Sequence, residues 1–424
     1  MTTKINNEHN KLNFSSEREQ SQACLNSAEH EKNQGRKVLN VPNLRFPEFQ
    51  GEWEEKRLSE IADLFKGNGI SKEQLTDTGE PCILYGELYT KYKSEVISDI
   101  FSKTDIDTRK LVKSKANDVI IPCSGETAVD IATARCVPYD NILLGGDLNI
   151  IRLYDCDGSF MSYQLNGKRK YDLAKVAQGV SVVHLYGDHL KGVRTYNPCL
   201  EEQKKIAKLL SLLDERIATQ NKIIEDLKKL KSAIIEKLYS EIQGKEYSFG
   251  QLFDVVNERN KQMEYSNILS ASQEKGMMNR DDLNLDIQFE RSNINTYKIV
   301  RKGDYVIHLR SFQGGFAFSN KLGVCSPAYT ILRPNNLLEY GYLSNYFTSQ
   351  RFIKSLILVT YGIRDGRSIN VDEWLRMKIT IPPKEHQQYI VKVIGTFERK
   401  IEDEEAYAAH LSKQKQYLLR QMFI

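Results

Sequence analysis

Two stretches of the chain carry apolar residues at alternating steps of four and three. The first runs through Ile206, Leu210, Leu213, Ile217, Gln220, Ile224, Leu227, Lys231, Ile234 and Leu238. The second repeats the register 184 residues later, through Ile390, Ile394, Phe397, Ile401, Glu404, Ala408, Leu411, Lys415, Leu418 and Met422. Even the polar interruptions coincide, Gln220 with Glu404 and Lys231 with Lys415. Such spacing over more than four heptads lines one narrow stripe along a helix and predicts a coiled-coil seam. Each stripe opens alike, Pro198-Cys-Leu-Glu-Glu-Gln203 and Pro382-Pro-Lys-Glu-His-Gln387. Proline before the first turn and glutamate inside it suit a helix N-terminus. With heavily charged flanks, each helix finds its most economical partner in the other, as an antiparallel pair. The alternative is that either helix packs on a globular core.

The segments before the two helices also correspond. Trp53 through Leu58 to Ile61 matches Tyr247 through Leu252 to Val255, which predicts a short amphipathic helix opening each domain. A polar turn and a β-rich run follow, Lys115-Ala-Asn-Asp118 to Pro122 and Arg301-Lys-Gly-Asp304 to His308. Near the domain ends, Ser181 to Lys191 parallels Ser368 to Arg376. The expected architecture is α+β, with two similar mixed α/β domains separated by two long helices. The boundaries read as a polar tail at 1–40, a first domain at 41–197, a spacer helix at 198–243, a second domain at 244–381 and a second spacer helix at 382–424. The tail, rich in Asn, Glu, Ser, Gln and Lys, lacks apolar anchors and is expected to be mobile.

Composition excludes several classes. At 424 residues there is room for two or three cores. Mean hydropathy is −0.49, and no apolar run approaches the roughly 20 residues of a membrane span. The N-terminus lacks the basic start and apolar core of a secretory signal, so a cytoplasmic location is expected. Seven scattered cysteines without a CxxC pair read as reduced thiols. The net charge of +4 says nothing for nucleic acid. Residues 45–197 hold 20 basic against 23 acidic side chains, so a nucleic-acid-binding first domain must gather its basic residues on one face.

Catalytic motifs are lacking. Asn197-Pro198-Cys199-Leu200 begins like the base-holding motif of DNA methyltransferases but lacks the second proline and the aromatic. There is no phosphate-binding GxxxxGK[ST] loop. Glu54-Glu55-Lys56 reads as a solvated helix end, and His184 and His189 as structural residues.

Two similar but unlike domains on a stiff spacer suit two half-sites at a fixed separation. A helix of about 40 residues spans about 60 Å, and B-DNA advances roughly 34 Å per turn. In this layout the chain resembles the specificity subunits of type I restriction–modification systems from about residue 42 to 424. The resemblance is carried by Pro42-Asn-Leu-Arg-Phe-Pro47, Gly51-Glu-Trp53, the two Pro-x-x-Glu-x-Gln helix starts and the paired long helices. It implies two target recognition domains, each reading half of a split, asymmetric site in double-stranded DNA. It also implies helices that dock two methyltransferase subunits, to which restriction subunits attach. This chain would then be non-catalytic and bind no cofactor, with S-adenosylmethionine, ATP and Mg on the partner subunits. A coiled-coil scaffold whose domains bind proteins is the rival reading.

No family motif fixes the DNA contacts, so candidates follow from side-chain chemistry. In the first domain these are Ser124 and Thr127, small hydroxyls beside Gly125, and the basic cluster Lys168, Arg169, Lys170 and Tyr171. In the second they are Arg310, Ser311 and Gln313, with Arg364 and Arg367 on a further loop. Arg and Gln are suited to bidentate reading of guanine and adenine, and Lys to phosphate. For each loop the plain alternative is a surface turn.

Overall fold

The computed structural model describes residues 39–179, 182–272, 275–282, 291–308, 315–361 and 368–424. Almost all of the expected tail therefore lies outside the described residues. The chain forms two compact units. One comprises the chain up to Arg216 with Leu411–Ile424, and the other Ile217–His410. The division falls inside both long helices, so each unit owns a segment of each.

The first unit is closed by its own ends. Strand Glu54–Arg57 pairs antiparallel with Arg194–Asn197, just before the first long helix. Between them lies a four-stranded sheet in the order Ala62–Lys66, Leu148–Leu153, Asp118–Pro122, Arg135–Val137. Strand 118–122 is buried throughout because both faces of the sheet are covered: Val119 and Ile121 enter one core, Ile120 the other. A second sheet, Leu75–Thr76, Ser102–Thr104, Glu80–Ile83 and Leu143–Leu144, extends this unit.

The second unit repeats the plan. Lys245–Ser248 pairs with Lys378–Ile381, and the sheet runs Phe253–Val256, Thr330–Pro334, Tyr305–Ile307, Phe316–Phe318. Its core is aromatic, with Trp374 stacked on Phe249 at 4.3 Å and Phe316, Phe347 and Phe352 packed around them. The expected opening helix in each domain is only one turn, Leu58–Ile61 and Phe249–Leu252, because the residues before it are taken by the closing strand. The aspartates of the two matched turns do the same work. Asp118 and Asp304 each accept the backbone N–H three residues earlier at 2.8 Å and hold an arginine in a two-point bond, Arg152 and Arg333.

The long helices are Leu200–Ser240 and Lys384–Gln421. Every residue of both predicted stripes is buried or half-buried. In the second unit Gln220 donates to the carbonyl of Glu404 at 3.3 Å and Lys231 pairs with Glu398 at 2.9 Å, so the segments run antiparallel. The register slips near the end of the first helix. Ile235 and Tyr239, one position beyond the predicted Ile234 and Leu238, are the buried residues, because there the helix leans on the aromatic core of the second unit.

The duplicated helix starts are structural pins. Gln203 is buried, accepts from the Asp157 N–H at 2.9 Å and donates to the Pro198 carbonyl at 2.9 Å. Gln387 accepts from the Glu339 N–H at 2.7 Å and donates to Pro382 at 3.0 Å. In the first unit Arg45, from the Pro42–Pro47 motif, grips the buried Glu202 with two bonds of 2.7 Å. The matching position in the second start is His386.

Candidate nucleic-acid interface

In the first unit the candidate loop after strand 118–122 folds into a short strand. Ser124–Gly125 pairs antiparallel with Val183–His184, a partner far away in sequence. The Ser124 hydroxyl donates to Asp147 at 3.2 Å and its carbonyl accepts from the Tyr89 hydroxyl at 3.1 Å. A side chain on Gly125 would meet that hydroxyl at 3.0 Å, so the glycine permits a close backbone approach, but to protein. Thr127 caps the helix Ala128–Ile131: its hydroxyl oxygen accepts from the Asp130 N–H at 3.1 Å, and its O–H donates to the Asp130 carboxylate at 2.6 Å.

The basic cluster divides. Lys168 and Tyr171 are exposed, and Lys170 begins the helix Lys170–Val176. That helix shares a core with Ala128–Ile131 through Leu173 and Ile131, which brings the cluster beside the Thr127 loop. Arg169 turns inward instead. It donates to the carbonyl of Ile424 at 2.8 Å, pairs with Asp172 at 3.1 Å and lies over the Tyr196 ring at 5.2 Å. Arg310, Ser311, Gln313, Arg364 and Arg367 lie outside the described residues.

Among the described residues, no group of three or more His, Cys, Asp or Glu side chains is placed to hold a metal ion. The six described cysteines are free, and burial pushes the thiols of Cys82 and Cys123 up to about 11 and those of Cys136 and Cys325 up to about 12. No described helix is long and apolar enough to cross a membrane.

A sheet domain that occurs twice, each copy closed by its own strand pair and pinned by a glutamine to a long helix, is the build of a protein carrying two related domains on paired helices. The family described as type I restriction modification DNA specificity domain matches residues 50–229 and 244–411, and the chain belongs to it. The type I restriction enzyme MjaVIII specificity subunit of Methanocaldococcus jannaschii is 29% identical over 199 residues, 46% of this chain and 43% of that one. This chain thus spans less than half the length of that relative. The putative type I restriction enzyme MjaX specificity subunit of the same organism is 22% identical over 418 residues, 90% of this chain and 95% of its own. Two solved structures share the fold. The S subunit of a type I restriction–modification system from M. genitalium has a TM-score of 0.56 at 17% identity, covering 91% of this chain and 99% of that one. A chain from work on complex assembly and conformational transition of the type I system has a TM-score of 0.55 at 16% identity, covering 88% and 97%.

Proposed function

We propose that this chain is the sequence-reading, non-catalytic subunit of a cytoplasmic type I restriction–modification complex, and that each unit reads one half of a bipartite, asymmetric site in double-stranded DNA. The observation that carries the reading is duplication with divergence. The two units share the central sheet, the closing strand pair and the Asp–Arg bond, yet the segments joining their strands differ in length and sequence. Shared scaffolds with unlike loops suit two unlike half-sites.

The long helices are the proposed docking surface for two methyltransferase subunits, which in turn carry the restriction subunits. Beyond the seam, the first helix leaves Leu209 and Leu212 exposed in the first unit and Ile223 and Leu230 in the second, large apolar side chains that suit a protein partner. S-adenosylmethionine, ATP and Mg belong to those partners.

The purified chain with its methyltransferase partner should bind one bipartite duplex far better than scrambled DNA, with affinity falling steeply as salt rises. Equal affinity for every sequence sinks the proposal, and salt-insensitive behaviour without duplex binding favours the protein-binding scaffold. Inserting four residues near Thr219 should alter the tolerated gap between half-sites, or abolish assembly, without changing the letters read.

A further inference from the structure

Strand register in the first unit brings three strand ends together. Lys66 lies opposite Asn149, and Leu148 opposite Pro122. The ends of strands 62–66 and 118–122 and the start of 148–153 therefore share one end of the sheet. The segment after Val183 is fastened across this end. The Leu185 N–H donates to the Cys123 carbonyl at 2.8 Å, and the buried Asn149 amide donates to the Leu185 carbonyl at 2.8 Å. The segment carries a ring cluster: His184 stacks with Tyr186 at 6.0 Å and 24°, and His189 meets Tyr186 edge-on at 5.6 Å. The Lys66 ammonium lies 5.7 Å from the centre of the Tyr186 ring.

This surface has donors to offer. Tyr186 is 45% exposed, Lys66 is exposed and His184 half-exposed. Among the described residues, neither the Tyr186 hydroxyl, the His184 ring nitrogens nor the Lys66 ammonium has a hydrogen-bond or ion-pair partner, whereas Ser124, Thr127 and Arg169 are all engaged with protein. The second unit places a similar pair at the matching sheet end. His308, after strand 305–307, and Tyr329, before strand 330–334, have ring centres 6.1 Å apart, beside the Ile307–Thr330 register pair.

We infer that Lys66, His184 and Tyr186 are sequence-determining residues of the first unit, and that they meet base edges in a groove of duplex DNA. The inference rests on the proposed DNA reading and names the side chains that perform it. Stacking holds the tyrosine and histidine rings in fixed orientations, so their polar edges are presented without further ordering. Lysine donates to the acceptors of guanine, and the tyrosine hydroxyl and imidazole offer donors and acceptors to other base edges.

The test selects binding sites from a random duplex library with the full chain and its methyltransferase partner, comparing Lys66→Ala, His184→Ala and Tyr186→Phe with wild type. The expected result is a change or relaxation of letters in one half-site, with discrimination at the affected position falling roughly tenfold. An unchanged unfolding transition of the first unit, followed through Trp53 in a Trp374→Phe background, reports that the variants are folded. Unchanged letters in all three variants overturn the inference, and so does a uniform loss of affinity confined to Lys66→Ala, the mark of a phosphate contact. If wild type itself selects no sequence, the DNA reading fails instead. Tyr186→Phe keeps the ring stack and removes only the hydroxyl, so an unaltered denaturation midpoint of the first unit with altered letters isolates readout from packing.

Discussion

Replacing Lys415 with methionine is expected to destabilise the first unit by about 3–5 kcal/mol, the range for removing one partner of a buried charge network. The ammonium is bonded to Glu95 and lies 2.5 Å from Asp214, and all three side chains are at most 15% exposed. Asp214 also accepts from the Tyr163 hydroxyl at 2.7 Å, and half-buried Arg135 faces the same carboxylates. Burial, helped by the nearby Asp214 carboxylate, pushes the Glu95 pKa up, and Lys415 opposes that rise. Without the lysine, two carboxylates face each other with one cation lost. The repeat supplies the control. Lys231 is the matched residue, but among the described residues it pairs only with Glu398, which is 42% exposed, so Lys231→Met should cost under about 1 kcal/mol.

Each unit holds one of the two tryptophans, Trp53 in the first and Trp374 in the second, so denaturant titrations in Trp374→Phe and Trp53→Phe backgrounds follow the units separately. The pH dependence has a definite sign. A carboxyl whose folded pKa is raised is best tolerated when protonated, so its contribution is favourable at low pH and lost as pH rises through the folded value. The Lys415→Met defect should therefore shrink as pH is lowered from 8 towards 5. Equal losses for the two lysine variants, or a defect that grows on acidification, would refute the reasoning.

Gln203→Ala and Gln387→Ala should each cost about 1–3 kcal/mol in the unit concerned, since each strands a buried N–H and a carbonyl at a helix start. The same denaturation assay checks this, and a loss below 0.5 kcal/mol on the order of experimental error argues against the pin. Arg169→Ala should lower first-unit stability by about 1–3 kcal/mol through the lost Ile424 and Asp172 contacts, while leaving the salt dependence of DNA binding unchanged. Lys168→Ala should do the reverse, reducing the slope of log affinity against log salt by about 1 if it touches phosphate. Anisotropy titrations at several salt concentrations distinguish the two.

Much of the architecture was written in the chain's periodicity. A stripe of steps four and three specifies a helix face whatever surrounds it, so the seams through Ile206 to Leu238 and Ile390 to Met422 were legible, as was the duplication through Asp118 and Asp304. Local pattern is blind to what a side chain meets across space. Arg169 looks identical to Lys168 in a basic run, and only the fold turns it onto Ile424. Lys231 and Lys415 occupy one position of the repeat, and only packing makes one a surface pair and the other the centre of a buried network. The union of Ser124–Gly125 with Val183–His184, and the gathering of Lys66 with Tyr186, depend on strand register between distant segments. Register is set by which faces both cores bury, a property of the whole sheet and of no single stretch of sequence.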